Sequence, residues 1–384
     1  MSRMFGLTEL VEINPHRSLK KGVVYPYLAM EDISTEFPDP TSHSFRPWNG
    51  SGSRFQKGDV LLARITPSAE NGKTALVTLD IAHGSTELTV LAPKNPITLD
   101  SGFLFYLLKD FHIRNQLIDQ MTGTTGRQRI PNNAFDNVLV PLPPLPVQRR
   151  IAEILGSVDS TIQKTENLIS ELRNLYHATQ KYIFHGHFTE YPSIQLQDIA
   201  SVERGRFSHR PRNDPRFYGG SYPFIQTGDI GSALGYIGTF TQTLNEEGLK
   251  VSRLFPKGTI VLTIAANIGD VAILGIDACF PDSIVGIQPK TSSMNLEYLY
   301  HFLSYSQPYI DSLAKESAQK NINLEILRPF LVPSPPWKKQ VQTAEILTTI
   351  LTRIQQELDY LERLSQLKTS LLQILLQGEV EVAI

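Results

Sequence analysis

Residues 204–216 read RGRFSHRPRNDPR, five arginines and His209 set against a single acid, Asp214. Cationic side chains neutralise phosphates, and the arginine fork also bonds the O6 and N7 atoms of guanine. Arg204, Arg206, His209, Arg210 and Arg212 are therefore candidate nucleic-acid contacts. Gly205 between two arginines would let the backbone approach a phosphate, and Phe207 offers an apolar or stacking face. The competing reading is a solvated basic loop balanced by acids elsewhere in the fold. A second segment, TGTTGRQRIPNN at 122–133, mixes donors and acceptors with cations, as phosphate and base-edge contacts require. It contributes Thr124, Thr125, Arg127, Gln128 and Arg129, and the matching stretch near residue 320 contributes Gln319, Lys320 and Asn321. Polar residues there could equally cap turns. Arg46, Trp48 and Arg54 around Gly50-Ser51-Gly52 form a third patch, and Thr227, with Asp229 and Asn267, a weaker fourth. The flanks of Gly50–Gly52 are not strand then helix, so a cofactor-phosphate loop is not expected.

Residue constellations for catalysis are missing where they would be sought. Neither Pro-Pro pair follows Asp or Asn, as the usual amino-methyltransferase signature would require, and no P-loop occurs. Cys279 is the only cysteine, and His185-Gly-His187 stands alone, so neither a metal site nor a cofactor is expected. A lone cysteine forms no intrachain disulfide, which suits a reducing, cytoplasmic compartment. The start of the chain has no signal-peptide pattern. The apolar stretch from Thr259 to Ala278 is broken by Asn267, Asp270 and Asp277, so it reads as buried strands and no membrane association is expected. The net charge of −2 excludes no nucleic-acid partner, because the local field at a binding face decides.

The elements that must hold these residues occur twice. RQRIPNNAFDNVLVPLPPLPVQRRIAEIL at 127–155 returns as QKNINLEILRPFLVPSPPWKKQVQTAEIL at 319–347. At an offset of 192, Ile130, Val140, Pro143, Gln148, Ala152 and Leu155 recur as Ile322, Val332, Pro335, Gln340, Ala344 and Leu347. Upstream, Phe55–Leu62 matches Phe255–Leu262, and Tyr27–Ile33 resembles Phe224–Ile230. Solenoid repeats run only ~20–50 residues, so this is a duplication of a whole domain. Each copy predicts a strand-rich stretch (22–100 and 194–290), an amphipathic helix (Gly102–Met121 and Leu296–Leu313) and a proline-rich connector.

A long helix follows each connector. Ile151, Leu155, Val158, Ile162, Thr165, Ile169, Leu172, Tyr176, Thr179 and Ile183 alternate spacings of four and three, a heptad seam. Leu347, Leu351, Ile354, Leu358, Leu361, Leu364, Leu367, Leu371 and Ile374 form a looser one before Gly378. Each rod would be ~50–60 Å long. The bland alternative is two helices of an ordinary bundle. The expected fold class is α+β: two similar α/β domains, 1–145 and 191–335, separated by an antiparallel two-helix coiled coil, with spacer helices at 146–190 and 336–384.

PLPPLPVQRRIAEIL and PSPPWKKQVQTAEIL resemble the repeated region of specificity subunits of type I restriction–modification systems. Ile194–Ala200, Arg204-Gly205-Arg206 and Phe217–Ile230 also resemble the way that family opens its second domain. The resemblance implies two target-recognition domains, each reading half of a split double-stranded DNA sequence, and helices that set the unread gap. It further implies docking of methyltransferase subunits, a motor-nuclease subunit joining for cleavage, and no catalytic residues in this chain. The first domain lacks a clear Gly-Arg element, and in the second proline motif Ile151 becomes Thr343. The alternatives left open are a self-sufficient DNA methyltransferase or nuclease with duplicated domains, and a structural coiled-coil adaptor.

Overall fold

A computed structural model describes residues 4–124, 126–209, 213–265, 267–290, 293–315 and 322–378. The chain divides into two units, Met1–Glu166 with Tyr360–Ile384, and Asn167–Asp359. Four helices organise the description: α1 (Ser101–Lys109), α2 (Leu145–Glu190), α3 (Leu296–Tyr305) and α4 (Trp337–Leu376).

The strand Val60–Ala63 lies at the centre of the first unit and is buried on both faces. Its side chains alternate: Val60 and Leu62 join the cluster containing α1, and Leu61 joins one with Leu28, Phe55 and Ala82. This strand belongs to an antiparallel sheet ordered Val11–Ile13, Leu88–Pro93, Val60–Ala63, Thr74–Leu76. A second sheet is ordered Ser44–Pro47, Val24–Leu28, Ile81–Gly84, Ser53–Gln56, with its middle pair parallel.

The second unit repeats this plan. Ala200–Arg204, Ile284–Pro289, Ile260–Thr263 and Val271–Leu274 follow in the same order, extended by the parallel strand Tyr236–Ile237. The other sheet is Gln242–Leu244, Tyr218–Phe224, Ala278–Cys279, Leu254–Phe255, again with a parallel middle pair. The duplication read from the sequence is thus a duplication of topology. Each predicted amphipathic helix is in fact two. Asp110 ends α1 and accepts from His112 N and Ile113 N, which starts the helix Phe111–Ile118. Likewise Leu296–Leu313 divides into α3 and the helix Gln307–Lys315.

The proline connectors behave as their chemistry requires. Pro141 and Pro333 close three-residue strands that pair with Met4–Gly6 and Ser193–Gln195. The long helices then begin at Leu145 and Trp337. One buried amide fixes each junction. Gln148 Oε1 accepts from Asp100 N (2.9 Å), while its Nε2 donates to Thr98 O (2.9 Å) and Pro143 O (2.8 Å). Gln340 Oε1 accepts from Asn295 N (2.8 Å), and its Nε2 donates to Pro335 O (2.9 Å) and Ser293 O (3.4 Å). Asp100 and Asn295 are themselves the N-caps of α1 and α3.

The heptad seams depart from the sequence reading in detail. Asp159 is buried where Val158 was expected, and beyond Tyr176 the stripe moves to Gln180, Phe184 and His187. Phe184 there packs on Tyr298 and Phe302 of α3, so the domain core draws the face round. In α4 Glu357 is buried beside the expected Leu358, and Leu367 is 47% exposed. Lys368 points inward in its place, because Asp159 lies opposite at 2.6 Å. Tyr106 Oη on α1 donates to the same carboxylate (2.7 Å). The second unit has a different chain of bonds at the matching place: Tyr176 Oη to His301 Nδ1 (2.9 Å) and His301 Nε2 to Thr348 Oγ1 (2.9 Å). Burial pushes the His301 pKa down to about 3.

Two predictions follow from these contacts. Gln148→Ala and Gln340→Ala each leave a buried amide N–H and carbonyls unbonded, so each lowers the stability of its own unit by about 2 kcal/mol in calorimetry. No change in either would remove the latch from the account. Unfolded His301 takes up a proton near pH 6.5, while the folded residue stays neutral down to about pH 3. Stability of the second unit therefore falls as pH drops below about 6.5, by up to about 1.4 kcal/mol per pH unit from this group. His301→Gln makes that slope shallower; an unchanged slope would contradict the assignment.

Candidate nucleic-acid interface

In the first unit a cleft of about 390 Å³ opens beside the edge strand Ser44–Pro47. Arg46 packs over Tyr27, its guanidinium carbon 3.9 Å from the ring centroid. His83 stands edge-on to both Tyr27 and Trp48, and its Nε2–H donates to the Arg46 carbonyl (3.2 Å). Asn49, Ser51, Ser85 and Thr86 complete the polar wall. Trp48 is 6% exposed, so this member of the expected patch is a support and not a contact. Arg54 leans over the Trp48 ring at 5.7 Å. The second glycine of this loop serves packing. Gly52 has φ +101°, and a Cβ there would stand 2.4 Å from Gly84 O.

The turn that bears Ser85 and Thr86 continues into Glu87, which grips Arg129 through two bonds of 2.9 and 2.8 Å. These bonds, with further help from Arg64, hold the Glu87 carboxyl below its ordinary range. Arg129 is thereby a strut. It also closes a hairpin, exchanging backbone bonds with Thr122 (2.8 and 2.9 Å), while Thr66 N donates to Gln128 O (3.0 Å). Thr124 and Arg127 remain exposed at the hairpin tip, and Arg127 makes no ion pair among the described residues. Gln128 is half-buried. Thr125 lies outside the described residues. Residues 84–87 thus line the cleft and, through Glu87, hold the base of the hairpin, joining two patches that are remote in the sequence.

In the second unit the basic segment leaves the strand Ala200–Arg204. Arg204 Nε donates to the Asp282 carbonyl, and both arginines flanking Gly205 are exposed. Two expectations are corrected here. Gly205 N donates to Ile284 O (2.8 Å) and Arg206 N to Phe280 O (3.1 Å), so these amides are used internally and do not face a phosphate. A Cβ on Gly205 would meet Pro281 O at 2.3 Å, which is why only glycine fits. Phe207 is 1% exposed and packs against Phe224, Phe217 and Tyr218, so it belongs to the core and presents no stacking face. His209 lies over Phe217 at 4.4 Å and 3.3 Å from Asp214, which also holds Arg216 (2.7 Å). Bonds from Arg216 bring the Asp214 pKa down to about 2. Thr227 starts the short helix Thr227–Ser232 and is half-exposed. Arg210, Arg212, Gln319, Lys320 and Asn321 lie outside the described residues. Ile322 N donates to Ile264 O (3.2 Å), as Ile130 N does to Arg64 O (2.8 Å), so the two loops end on equivalent strands.

Tyr27, Asn49, His83, Ser85 and Thr86 are the cleft residues that sequence reading passed over. Their only linear signal is a His-Gly-Ser-Thr turn between two strand patterns. Among the described residues no group of three or more His, Cys, Asp or Glu could hold a metal ion, and no helix is long and apolar enough to cross a membrane.

Comparison with known proteins agrees with this architecture. The MjaVIII type I restriction enzyme specificity subunit of Methanocaldococcus jannaschii is 22% identical over 93% of this chain and 86% of that protein. The EcoAI specificity subunit of Escherichia coli is 34% identical over 38% of this chain and 26% of that protein. The solved type I restriction–modification S subunit from M. genitalium shares the fold with a TM-score of 0.65 at 16% identity, covering 99% of this chain and 96% of that one. The model of the type I restriction modification DNA specificity domain matches twice, at residues 3–174 and 189–365. With most of its length accounted for by two copies of that domain, the chain belongs to the type I restriction–modification DNA specificity family and is a DNA-recognition subunit.

Proposed function

We propose that each unit reads one half of a two-part double-stranded DNA target through the faces described above, the recognition domains being 1–145 and 191–335. The observation that carries this is the duplicated topology, closed in each copy by the same glutamine latch. Two equal readers on one chain suit a target with two separate segments. The long helices would set the number of unread base pairs between them. The chain would act without catalytic residues of its own, and methyltransferase subunits would supply the chemistry. A motor-nuclease subunit would join for cleavage.

A groove of about 1210 Å³ between the end of α2 and the start of α4 supports docking of a methyltransferase subunit. Tyr182, 83% exposed, and Ile346 line it with Ile183, Gln342 and Glu345. Glu345 and Ile346 repeat Glu153 and Ile154, yet Glu345 and Glu153 both face solvent. Ile346 is half-exposed whereas Ile154 packs partly on the first unit's core, so the repeated exposed position is the glutamate.

Alanine at Arg127 is expected to weaken binding of the purified complex to one half-site only and to reduce the salt slope by about one. Arg206→Ala does the same at the other half. Arg129→Ala instead lowers the melting temperature of the first unit, since it strands Glu87. Equal losses at both halves would refute separate reading. Seven residues inserted after both Glu166 and Asp359 add ~10 Å of helix. At 3.4 Å per step the preferred gap should lengthen by about three base pairs. An unchanged gap would refute the ruler.

A further inference from the structure

The geometry points to the Tyr27–Arg46–His83 cleft of the first unit as a guanine-reading site, with Arg46 its specificity-determining residue. The inference rests on the reading that this unit faces DNA, and it deepens that reading by naming the base. Arg46 is exposed on an edge strand, yet its guanidinium carbon is held over the Tyr27 ring at 3.9 Å. Contact with the ring face restrains the fork without using its N–H donors. Such ordering serves bidentate contact, to two phosphate oxygens as well as to a base edge. It gains most where two acceptors lie side by side in one plane. In the major groove guanine offers that pair, O6 and N7, whereas adenine places a donor beside its acceptor.

The surroundings select in the same direction. Among the described residues no acidic side chain lines the cleft beside Arg46. The nearest acid along the turn, Glu87, is turned to Arg129. His83 acts as a positioning residue: buried between Tyr27 and Trp48, it holds the Arg46 carbonyl and hence the strand. Ser51, Ser85 and Thr86 bring small hydroxyls that accept or donate to a neighbouring base edge.

The test uses the full chain with its methyltransferase partner and a duplex selected by that complex from a randomised pool. Each guanine of the selected sequence is replaced in turn by 7-deazaguanine, which lacks the N7 acceptor. The wild-type complex is expected to lose about tenfold in affinity at one guanine of one half-site. Arg46→Ala and Arg46→Met, which keeps an unbranched side chain without the donor fork, show no such loss and accept any base at that position, with the other half-site unchanged. Arg46→Met carries the test if the alanine variant fails to fold. The inference is overturned if no guanine in either half is sensitive or if the variants keep the wild-type sensitivity. It is equally overturned if Arg46→Ala weakens every duplex by one factor with a smaller salt slope, the mark of a phosphate contact. A selection that returns no two-part sequence would overturn the functional reading as well. A two-part sequence read without Arg46 removes this inference alone.

Discussion

The buried side-chain amide at the start of each long helix is the constraint on which the remaining geometry depends. Gln148 and Gln340 are 0% and 2% exposed, and each bonds three backbone groups from two segments. One segment is the connector, and the other is the loop that leads into α1 or α3 and includes its N-cap. A flexible joint would let a domain swing on its helix. An amide with every donor and acceptor used inside an apolar setting does not, because breaking any bond leaves a buried polar group unpaired. The N-cap bond orients α1 or α3, and that helix packs against the central strands. The sheet edge and its loops therefore inherit a defined direction from the helix.

The two copies keep this latch and vary around it. Next to it, the first unit joins α1, α2 and α4 through Tyr106, Asp159 and Lys368. The second joins the corresponding helices through His301, Tyr176 and Thr348. Lys368 follows Tyr176 by the repeat offset of 192, so the same place in the fold is occupied by charge in one copy and by neutral hydrogen bonds in the other. Buried polar groups of this kind specify helix register more than they add stability. Distinct chemistry in the two copies favours one pairing of each helix segment over its counterpart. The outer faces vary further: an arginine-on-tyrosine cleft in the first unit and an arginine-rich segment in the second.

The duplication, the long helices and the proline junctions are legible in the sequence because each rests on local chemistry. A run of prolines such as 141–146 can continue neither a strand ladder nor a helix interior, and a sustained heptad pattern has few other uses. The seams were less legible beyond Tyr176 and around Leu367, where a tertiary partner overrides periodicity: the α3 aromatics in one case and Asp159 in the other. The site divides in the same way. Charge-rich segments are visible as composition, but composition does not show which cation is already paired. Arg129 and Arg127 are neighbours in one loop, and only folding shows that Glu87 takes the first. Gly205 is a packing residue because the chain opposite it, Phe280 to Ile284, is remote in the sequence, and Phe207 because folding sets it on Phe217, Tyr218 and Phe224.

Two readers built alike, each locked to its own helix, have a clear physical consequence: the DNA sequence they select should itself have two specified parts and a silent interval. Methylome sequencing of a host with and without this gene measures this most directly. The account predicts a class of modified sites that vanishes with the gene, with a consensus of two short segments at one fixed spacing. A continuous consensus, or an unchanged methylome while the partner methyltransferase is active, would contradict it.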